Sequence, residues 1–598
     1  MCAVRNVTLA ILVISSHQAE YIMPSICFPT TSSCSGSSSV TRTVFTTETK
    51  VEMYRHAAVA ALMAYARLGA ASIEDVARLP TPPMGFNDWA RFECAINESL
   101  FTQTADAMKD KGLLGAGYDR VNIDDCWPTK QRAANGSLQW NETLFPNGLI
   151  WLSDYVKQRG FHFGIYSDAG NETCGGYPGS LGYEETDAQT FTSWGIDYLK
   201  LDGCNVYNRT GQTLEQRYQE IYGHWHDVLK GPETPLIFSE SAPAYFSAGI
   251  AGATNLTDWY EVMDWVPIYG ELARHSQDIA THEYRKDPWN SVMSNYDEEV
   301  RVGRVQAPGY YNDPDFLIAD EPYLTLEEKK SHFALWATLG APLIISAWIP
   351  GLPDEVIGYL SNERFIAVDQ DKLGLQATLV RHDGTWDVLT KPLANGDHVV
   401  TMLNNGTEAG DIEVSLAQIG LALRGRRPAK LAVTDLWTGE ETCVDAEAGT
   451  MIKASVPSHG TAAYRISVKD GYHHRNGVQW APTGLIFNAA SFRCLTEADG
   501  GLQWAPCNGS DRQVWRVGRH GSSIKPLSSL DSCVVPDGAS VKLSKSCRHG
   551  QWSYSTSGNV RTGSGVCLTE GEGGEVTVTS CGYLRNDQVF EMPSGWQL

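Results

Sequence analysis

From about residue 82 to 350, short apolar runs alternate with stretches whose apolar residues recur at helical spacing. The runs are Met84–Trp89, Tyr118–Trp127, Phe161–Asp168, Ile196–Cys204, Leu236–Ser241, Val262–Tyr269, Tyr310–Leu317 and Pro342–Ala347. Helical patterns lie between several of them, among them Glu98–Lys111, Leu149–Arg159, Leu214–Leu229 and Leu326–Leu339. Eight strands joined by helical crossovers predict an α/β chain folded as a (β/α)8 TIM barrel rather than an open sheet. Many of the runs end in Asp, Asn, Ser or Trp, which gathers polar groups around one mouth of that barrel.

From about residue 375 the helical period fades, and short alternating runs at Trp386–Thr390, His398–Leu403, Lys430–Leu436 and Gly460–Val468 predict an antiparallel β-sandwich. A linker near Asp470–Gly477 leads into a threefold repeat. Cys494-Leu-Thr with Cys507 and Gln513-Val-Trp515 recurs as Cys533-Val-Val with Cys547 and Gln551-Trp552, then as Cys567-Leu-Thr with Cys581 and Gln588-Val-Phe590. Three such units predict a β-trefoil whose repeats are each closed by their own disulfide, Cys494–Cys507, Cys533–Cys547 and Cys567–Cys581. The expected layout is a non-native extension over 1–52, a signal peptide over 53–71, a catalytic barrel over 72–372, the sandwich over 373–470 and the trefoil over 471–598.

The 598-residue chain is 42% hydrophobic, enough for more than one core, and its net charge of −23 argues against nucleic acid or an anionic membrane as a partner. A neutral ligand fits better, and 18 Trp and 25 Tyr supply flat faces suited to sugar rings. Two apolar N-terminal runs compete as secretion signals, Val7–Ile14 behind Arg5 and Ala57–Ala66 behind Arg55 and His56. The second, ending in Gly69-Ala-Ala71, is the better one, so Met53 is the expected start and Ser72 the expected mature end. Neither run reaches the ~18–20 residues of a membrane span. Secretion also fits the eight N-x-S/T sequons beyond residue 72, at Asn97, Asn135, Asn141, Asn171, Asn208, Asn255, Asn405 and Asn508. Cys94, Cys126, Cys174 and Cys204 in the first half and six cysteines in the tail read as disulfides, with Cys443 a free or buried thiol. No C-x-x-C or His-rich spacing points to a metal, and no cofactor is expected.

Chemistry concentrates in Gly195–Cys204, a buried-strand pattern that ends in Lys200 and Asp202. Two residues apart, they share one face of a strand, at the strand end where such barrels carry their chemistry. An ammonium beside a carboxylate keeps the carboxylate ionised, as a nucleophile requires. Alone, a K-x-D pair is more often a salt bridge under a loop.

Pro82-Pro-Met-Gly-Phe-Asn-Asp-Trp89, Asn122-Ile-Asp-Asp-Cys-Trp127, Gly164-Ile-Tyr-Ser-Asp168, Tyr198-Leu-Lys-Leu-Asp-Gly-Cys204 and Asn312-Asp-Pro-Asp315 together resemble glycoside hydrolase family 27, the retaining α-galactosidases and α-N-acetylgalactosaminidases. The resemblance spans roughly residues 80–470 in the family's motif order, and with its ricin-type tail the chain looks like the secreted fungal α-galactosidase A group. It implies Asp202 as nucleophile and Asp278, four residues after Arg274, as acid/base. A retaining reaction needs two carboxyls about 5–5.5 Å apart, and the charge of one is expected to raise the pKa of the other. By the same resemblance Asp124 and Asp125 accept hydrogen bonds from the 4- and 6-hydroxyls of a hexose. Trp89 stacks on the sugar, Tyr166 and Lys200 line the pocket, Arg274 reaches the 2-substituent, and Asp315 supports. The resemblance also implies that Cys94 pairs with Cys126, and Cys174 with Cys204.

Ser239-Glu-Ser-Ala-Pro-Ala-Tyr245 departs from the usual α-galactosidase pattern, in which Glu stands where this chain has Ser241 and a larger residue stands at Ala244. Small residues there leave room for an N-acetyl group and point to α-GalNAc, whereas the whole-chain likeness points to α-galactose. The expected activity is removal of terminal α-galactose from oligosaccharides or polysaccharides, with α-N-acetylgalactosaminidase as the alternative and Glu240 as a substitute carboxylate. A secreted lectin with a dead barrel is the reading from a different class, and it loses to the presence of both carboxylates and the Asp pair. Trefoil repeats that bind sugar usually carry Asp two residues after the first cysteine. Here Thr496, Val535 and Thr569 stand there, so sugar contact through the tail would fall to Asp499, Asp537 or Trp504. Removing residues 480–598 is expected to leave hydrolysis of small substrates nearly intact.

Overall fold

The computed structural model describes residues 78–230, 236–247, 256–423, 429–447, 449–469, 478–499 and 501–597. The expected signal peptide and start site, the Asp470–Gly477 linker and the Asn255 sequon lie outside them. Eight short parallel strands, β1 (Met84–Asn87), β2 (Arg120–Asn122), β3 (His162–Asp168), β4 (Tyr198–Asp202), β5 (Ile237–Glu240), β6 (Leu272–Arg274), β7 (Tyr311–Asp313) and β8 (Leu343–Ile345), form one sheet in the order 7-6-5-4-3-2-1-8. β1 pairs with β8, and a bridge between Leu317 and Ile345 completes the ring, so the sheet is TIM-barrel-like. The helices follow the sequence pattern closely: Glu98–Asp110, Leu149–Gln158, Leu214–Leu229 and Leu326–Leu339.

One expected strand is a helix. Val262–Tyr269 lies inside Thr257–Tyr269, where Trp259, Tyr260, Val262, Met263 and Val266 bury one helical stripe. Pro267 sits in the last turn, and β6 begins only at Leu272. The run mimics a buried strand because the polar stripe of this helix begins ahead of it, at Asp258 and Glu261, while Ile268, an apolar residue, takes an exposed position inside it.

A six-stranded antiparallel sheet follows, built from β9 (Thr378–His382), β10 (Trp386–Pro392), β11 (His398–Asn404), β14 (Ala429–Asp435), β15 (Glu441–Ala446) and β17 (Thr461–Val468). A second, two-stranded sheet, β12 (Gly410–Ser415) with β16 (Met451–Val456), completes the β-sandwich domain. β13 (Leu421–Leu423) leaves the sandwich to pair with β18 (Val478–Trp480). β11 is buried along its whole length because both faces are covered. Val399 and Leu403 belong to the barrel's core, whereas Val400 and Met402 belong to the sandwich interior. Thr401 Oγ1 lies 2.8 Å from Thr338 Oγ1 of the Leu326–Leu339 helix, pairing the polar atoms that this contact takes out of water.

The C-terminal segment holds three cysteine hairpins, Arg493–Ala498 with Gly501–Pro506, Cys533–Asp537 with Ser540–Ser544, and Val566–Glu570 with Val576–Ser580. Their disulfides are the three expected ones. The first two place a Trp indole alike: Trp515 donates to Leu495 O at 2.8 Å and Trp552 to Val534 O at 2.9 Å. Gln513 and Gln588 are fully buried and donate to Thr496 and Thr569. Thr496, Val535 and Thr569 therefore face inward, and Trp504 is stacked on Phe590 in the core. Trp504 cannot serve as a sugar platform.

This segment does not hang free. Leu485, Phe487, Ala489, Val514, Leu584 and Val589 belong to the same continuous core as the barrel. Arg304 Nη1 meets Glu591 Oε1 at 2.5 Å with both side chains buried, and Arg304 Nε donates to Thr556 O. Burial pushes the Glu591 carboxyl up to about 7 despite Arg304 beside it. Cys443, on β15 at the sheet edge, is free and exposed.

Truncation before residue 480 is therefore expected to do what the sequence alone did not foretell: it strips a shared core and yields an aggregating or early-melting protein. The seam itself is tested by Arg304→Ala, which leaves the Glu591 carboxyl buried alone at a cost of about 3–5 kcal/mol. Scanning calorimetry should show an earlier transition; an unchanged profile would mean that the tail is an independent appendage after all.

Candidate active site

The C-terminal ends of the strands surround a cavity of about 250 Å³. Ten of the twelve residues expected in the site line it: Trp89, Asp124, Tyr166, Lys200, Asp202, Ser241, Ala244, Tyr245, Arg274 and Asp278. Each stands at or just past a strand end. A 3₁₀ turn, Ala242–Phe246, carries Ala244 and Tyr245 over the mouth.

Asp202 is held by two donors on one oxygen. Tyr245 OH donates to Oδ1 at 2.5 Å, and the Gly203 N–H donates to it at 2.9 Å. Gly203 is required there, because a Cβ would lie 2.6 Å from the Tyr218 ring. Burial and the charge of Asp202 push the Tyr245 and Tyr166 phenols far up, so both remain donors at any working pH.

Lys200 does not pair with Asp202 as its spacing predicted. Its Nζ meets Asp124 Oδ2 at 2.8 Å, just past the end of β2, with β3 lying between the two strands. Strand periodicity puts Lys200 and Asp202 on one face but leaves them a full repeat apart along it, so the long lysine side chain reaches across the ring. Burial opposes the lysine's charge, but Asp124 and then Asp202 outweigh it and its pKa ends above the ordinary value. Asn87 Nδ2 completes the Asp124 Oδ2 environment at 2.7 Å.

The two remaining expected residues stand behind the cavity wall. Asp125 accepts the Cys126 N–H on one oxygen and the Gly175 N–H, at 2.7 Å, on the other. Burial raises its pKa. Asp315, with φ of +80°, bonds Arg274 at 3.0 Å and accepts the Ile279 N–H at 2.8 Å. Burial raises it to about 6 although Arg274 pulls the other way. Arg274 thus bridges buried Asp315 and Asp278, the latter at 3.2 Å with two thirds of its side chain exposed. Ser241 is buried with no partner for its Oγ. Glu240 cannot substitute for a pocket carboxylate: it is fully buried with both oxygens unpartnered, and one lies where a Cβ on Gly270 would be, away from the cavity lining.

Sequence reasoning passed over four residues. Ser276 and Gln277 line the cavity, and their position between two assigned residues, Arg274 and Asp278, was the available signal. Asp88 is fully buried, accepts the Asp124 N–H at 2.8 Å, and is raised by burial and by Asp124. Asp168 ends β3 in register with Asp202. It accepts N–H bonds from Gly170 at 2.7 Å and Cys204 at 2.9 Å, yet burial and then Asp202 push it up to about 8. Both disulfides expected here are formed, Cys94–Cys126 and Cys174–Cys204. Asp168, Cys174, Asp202 and Cys204 bring ligand-type atoms within 4.8 Å of one another, but both sulfurs are consumed in the disulfide, leaving a poor cage for a cation.

A carboxyl raised from 3.8 to about 8 holds a proton in the folded chain that the unfolded chain releases. Its contribution to stability is present at low pH and falls as pH rises through that window. Asp168→Asn, though less stable overall for want of one acceptor, should flatten the decline of Tm between about pH 5 and 8. An unaltered slope would show that Asp168 is ionised throughout.

Residues 81–371 match the family model described as alpha galactosidase A, and residues 383–466 match the alpha galactosidase C-terminal beta sandwich domain. The chain is 52% identical over 534 residues to alpha-galactosidase A of Aspergillus niger, covering 88% of this chain and 94% of that one. Among solved structures, alpha-galactosidase I of Mortierella vinacea is similar at 29% identity with a TM-score of 0.57, covering 65% of this chain and 97% of that one. The Saccharomyces cerevisiae alpha-galactosidase solved with raffinose is similar at 27% identity and a TM-score of 0.56, with 65% and 98% covered. Together with the ring of strand-end carboxylates, these likenesses mean that the chain belongs to glycoside hydrolase family 27, the alpha-galactosidase family.

Proposed function

We infer that the protein is a retaining α-galactosidase that releases terminal α-galactose through a covalent glycosyl-enzyme. The observation that carries this reading is Asp202 facing the cavity with both of its donors on Oδ1, which leaves Oδ2 to attack the anomeric carbon. As the Oδ2–C1 bond forms and the bond to the aglycone breaks, Asp278 gives its proton to the departing oxygen. Its exposed position at the rim suits contact with leaving group and water. Water then attacks C1, Asp278 recovers the proton, and Asp202 departs. Asp124, fixed by Lys200 and Asn87, is the acceptor for sugar hydroxyls, and Trp89 is the apolar wall. Asp125 acts by holding the Gly175 loop as well as by any contact with the hexose.

The chain is further read as a secreted glycoprotein. Five disulfides are formed, and the Asn of every sequon among the described residues is exposed or half-exposed. No helix among the described residues is long and apolar enough to cross a membrane. The three cysteine hairpins with their inward Gln and Trp support a ricin-type β-trefoil, and their buried Thr496, Val535 and Thr569 favour a structural role over sugar contact.

Asp202→Asn and Asp278→Asn are each expected to lower turnover by at least ~10³-fold on an unactivated α-galactoside. Small anions such as azide should restore part of the activity in one of them. A variant that keeps more than about a tenth of the wild-type rate would remove its residue from the mechanism.

Ser241 and Ala244 together leave space beside C2, and the unpartnered Ser241 hydroxyl gives that space one polar atom. The wild type is expected to show measurable α-GalNAc activity beside its α-galactosidase activity. Ser241→Glu with Ala244→Leu should abolish the former by steric exclusion while sparing the latter. Parallel rates on the two aryl glycosides decide it, and loss of neither activity would place the C2 wall elsewhere.

A further inference from the structure

Tyr207 is an exposed aromatic ring that belongs to neither the barrel core nor the cores beside it. It is 69% exposed, three residues after Cys204, which lines the cavity. Every residue between Asp202 and Tyr207 is tied down. Cys204 is bonded to Cys174, which lines the cavity from the β3 loop, and its N–H is held by Asp168. Asn205 Nδ2 donates to Glu172 O at 2.9 Å and Thr173 O at 3.1 Å, pinning one loop to the other. Val206 is buried in the core. Tyr207 OH then donates to Asn205 Oδ1 at 3.1 Å, so the ring is anchored at its tip to the same lip that carries the disulfide.

The rim carries further exposed tyrosines, Tyr183, Tyr284 and Tyr323, on the loops that follow β3, β6 and β7. Exposed rings on the loops of a barrel's C-terminal face lie where the part of a substrate that projects from the cavity must pass. A cavity of about 250 Å³ leaves the second sugar of an oligosaccharide outside it, and Cys174 and Cys204, which the lip carries, are among the residues that line the way out. A sugar ring offers axial C–H groups to an aromatic face, and a ring already fixed at its hydroxyl loses little freedom on stacking.

Resting on the α-galactosidase reading, we propose that Tyr207 is the stacking platform of the aglycone subsite, which recognises the sugar next to the terminal α-galactose. It is a specificity-determining residue and takes no part in bond breaking. The subsite makes the enzyme favour α-galactosides of sugars over those of small alcohols.

The test compares methyl α-galactoside, which has no ring in its aglycone, with melibiose and raffinose. Tyr207→Ala should lower kcat/KM on the two oligosaccharides by roughly three- to tenfold, mainly through KM, with the methyl glycoside within about twofold of wild type. Tyr207→Phe and Tyr207→Trp should retain most of the oligosaccharide preference, because the ring and not the hydroxyl makes the contact. Unchanged Tm values would show that the variants are folded. Equal losses on all three substrates, or no loss on any, overturn the subsite while leaving α-galactosidase activity standing. Failure of the wild type to hydrolyse any of the three overturns the activity itself and the subsite with it.

Discussion

Six buried or half-buried carboxylates, Asp88, Asp124, Asp125, Asp168, Asp202 and Asp315, crowd one mouth of the barrel, with Lys200 and Arg274 as the buried cations among them. Like charges so placed cannot all be ionised, and the mouth resolves the conflict in three ways. Lys200 and Arg274 each pair directly with one of these six, Asp124 and Asp315, and Arg274 also reaches Asp278. Backbone N–H groups satisfy others at no cost in side chains, two on Asp125 and two on Asp168. A proton is the third way: burial and then Asp202 push Asp168 up to about 8, and burial and then Asp124 push Asp88 in the same direction. The cavity, the tight loops and the fixed tyrosines all follow from this arrangement.

Those backbone donors are positioned by the disulfides. Gly175, which binds Asp125, follows Cys174, and Cys204 itself binds Asp168. Cys126, which binds Asp125 from a left-handed backbone at φ of +72°, is joined to Cys94. Covalent closure thus holds a strained loop against the repulsion that would open it. Electrostatics and cross-links are one device here.

Away from the mouth, the domains share surfaces rather than meeting through linkers. β11 serves two cores at once, and Arg304 with Glu591 joins the barrel to the C-terminal hairpins through a buried pair. A barrel so braced can carry a long, irregular rim, including the exposed tyrosines, without depending on that rim for stability.

Much of this was legible in the chain by itself. Strand runs ending in Asp, helical stripes such as Leu326–Leu339, the cysteine repeat and the motif residues of the site are local patterns, because each depends on side-chain spacing along one element. What the sequence could not determine are the relations between elements. Lys200 was spaced to serve Asp202 but pairs with Asp124, because a flexible side chain chooses among neighbours across the barrel. Val262–Tyr269 read as a strand because the polar stripe that marks the helical period begins ahead of it, at Asp258 and Glu261. Glu240 sat in the right segment yet points away from the cavity, since alternation along β5 sends it to the other face from Ser241. Asp168 gained its raised pKa only when packing buried it and the β3–β4 register set it beside Asp202. Local pattern decides which element forms, and only the packing of one element on another decides which charges meet.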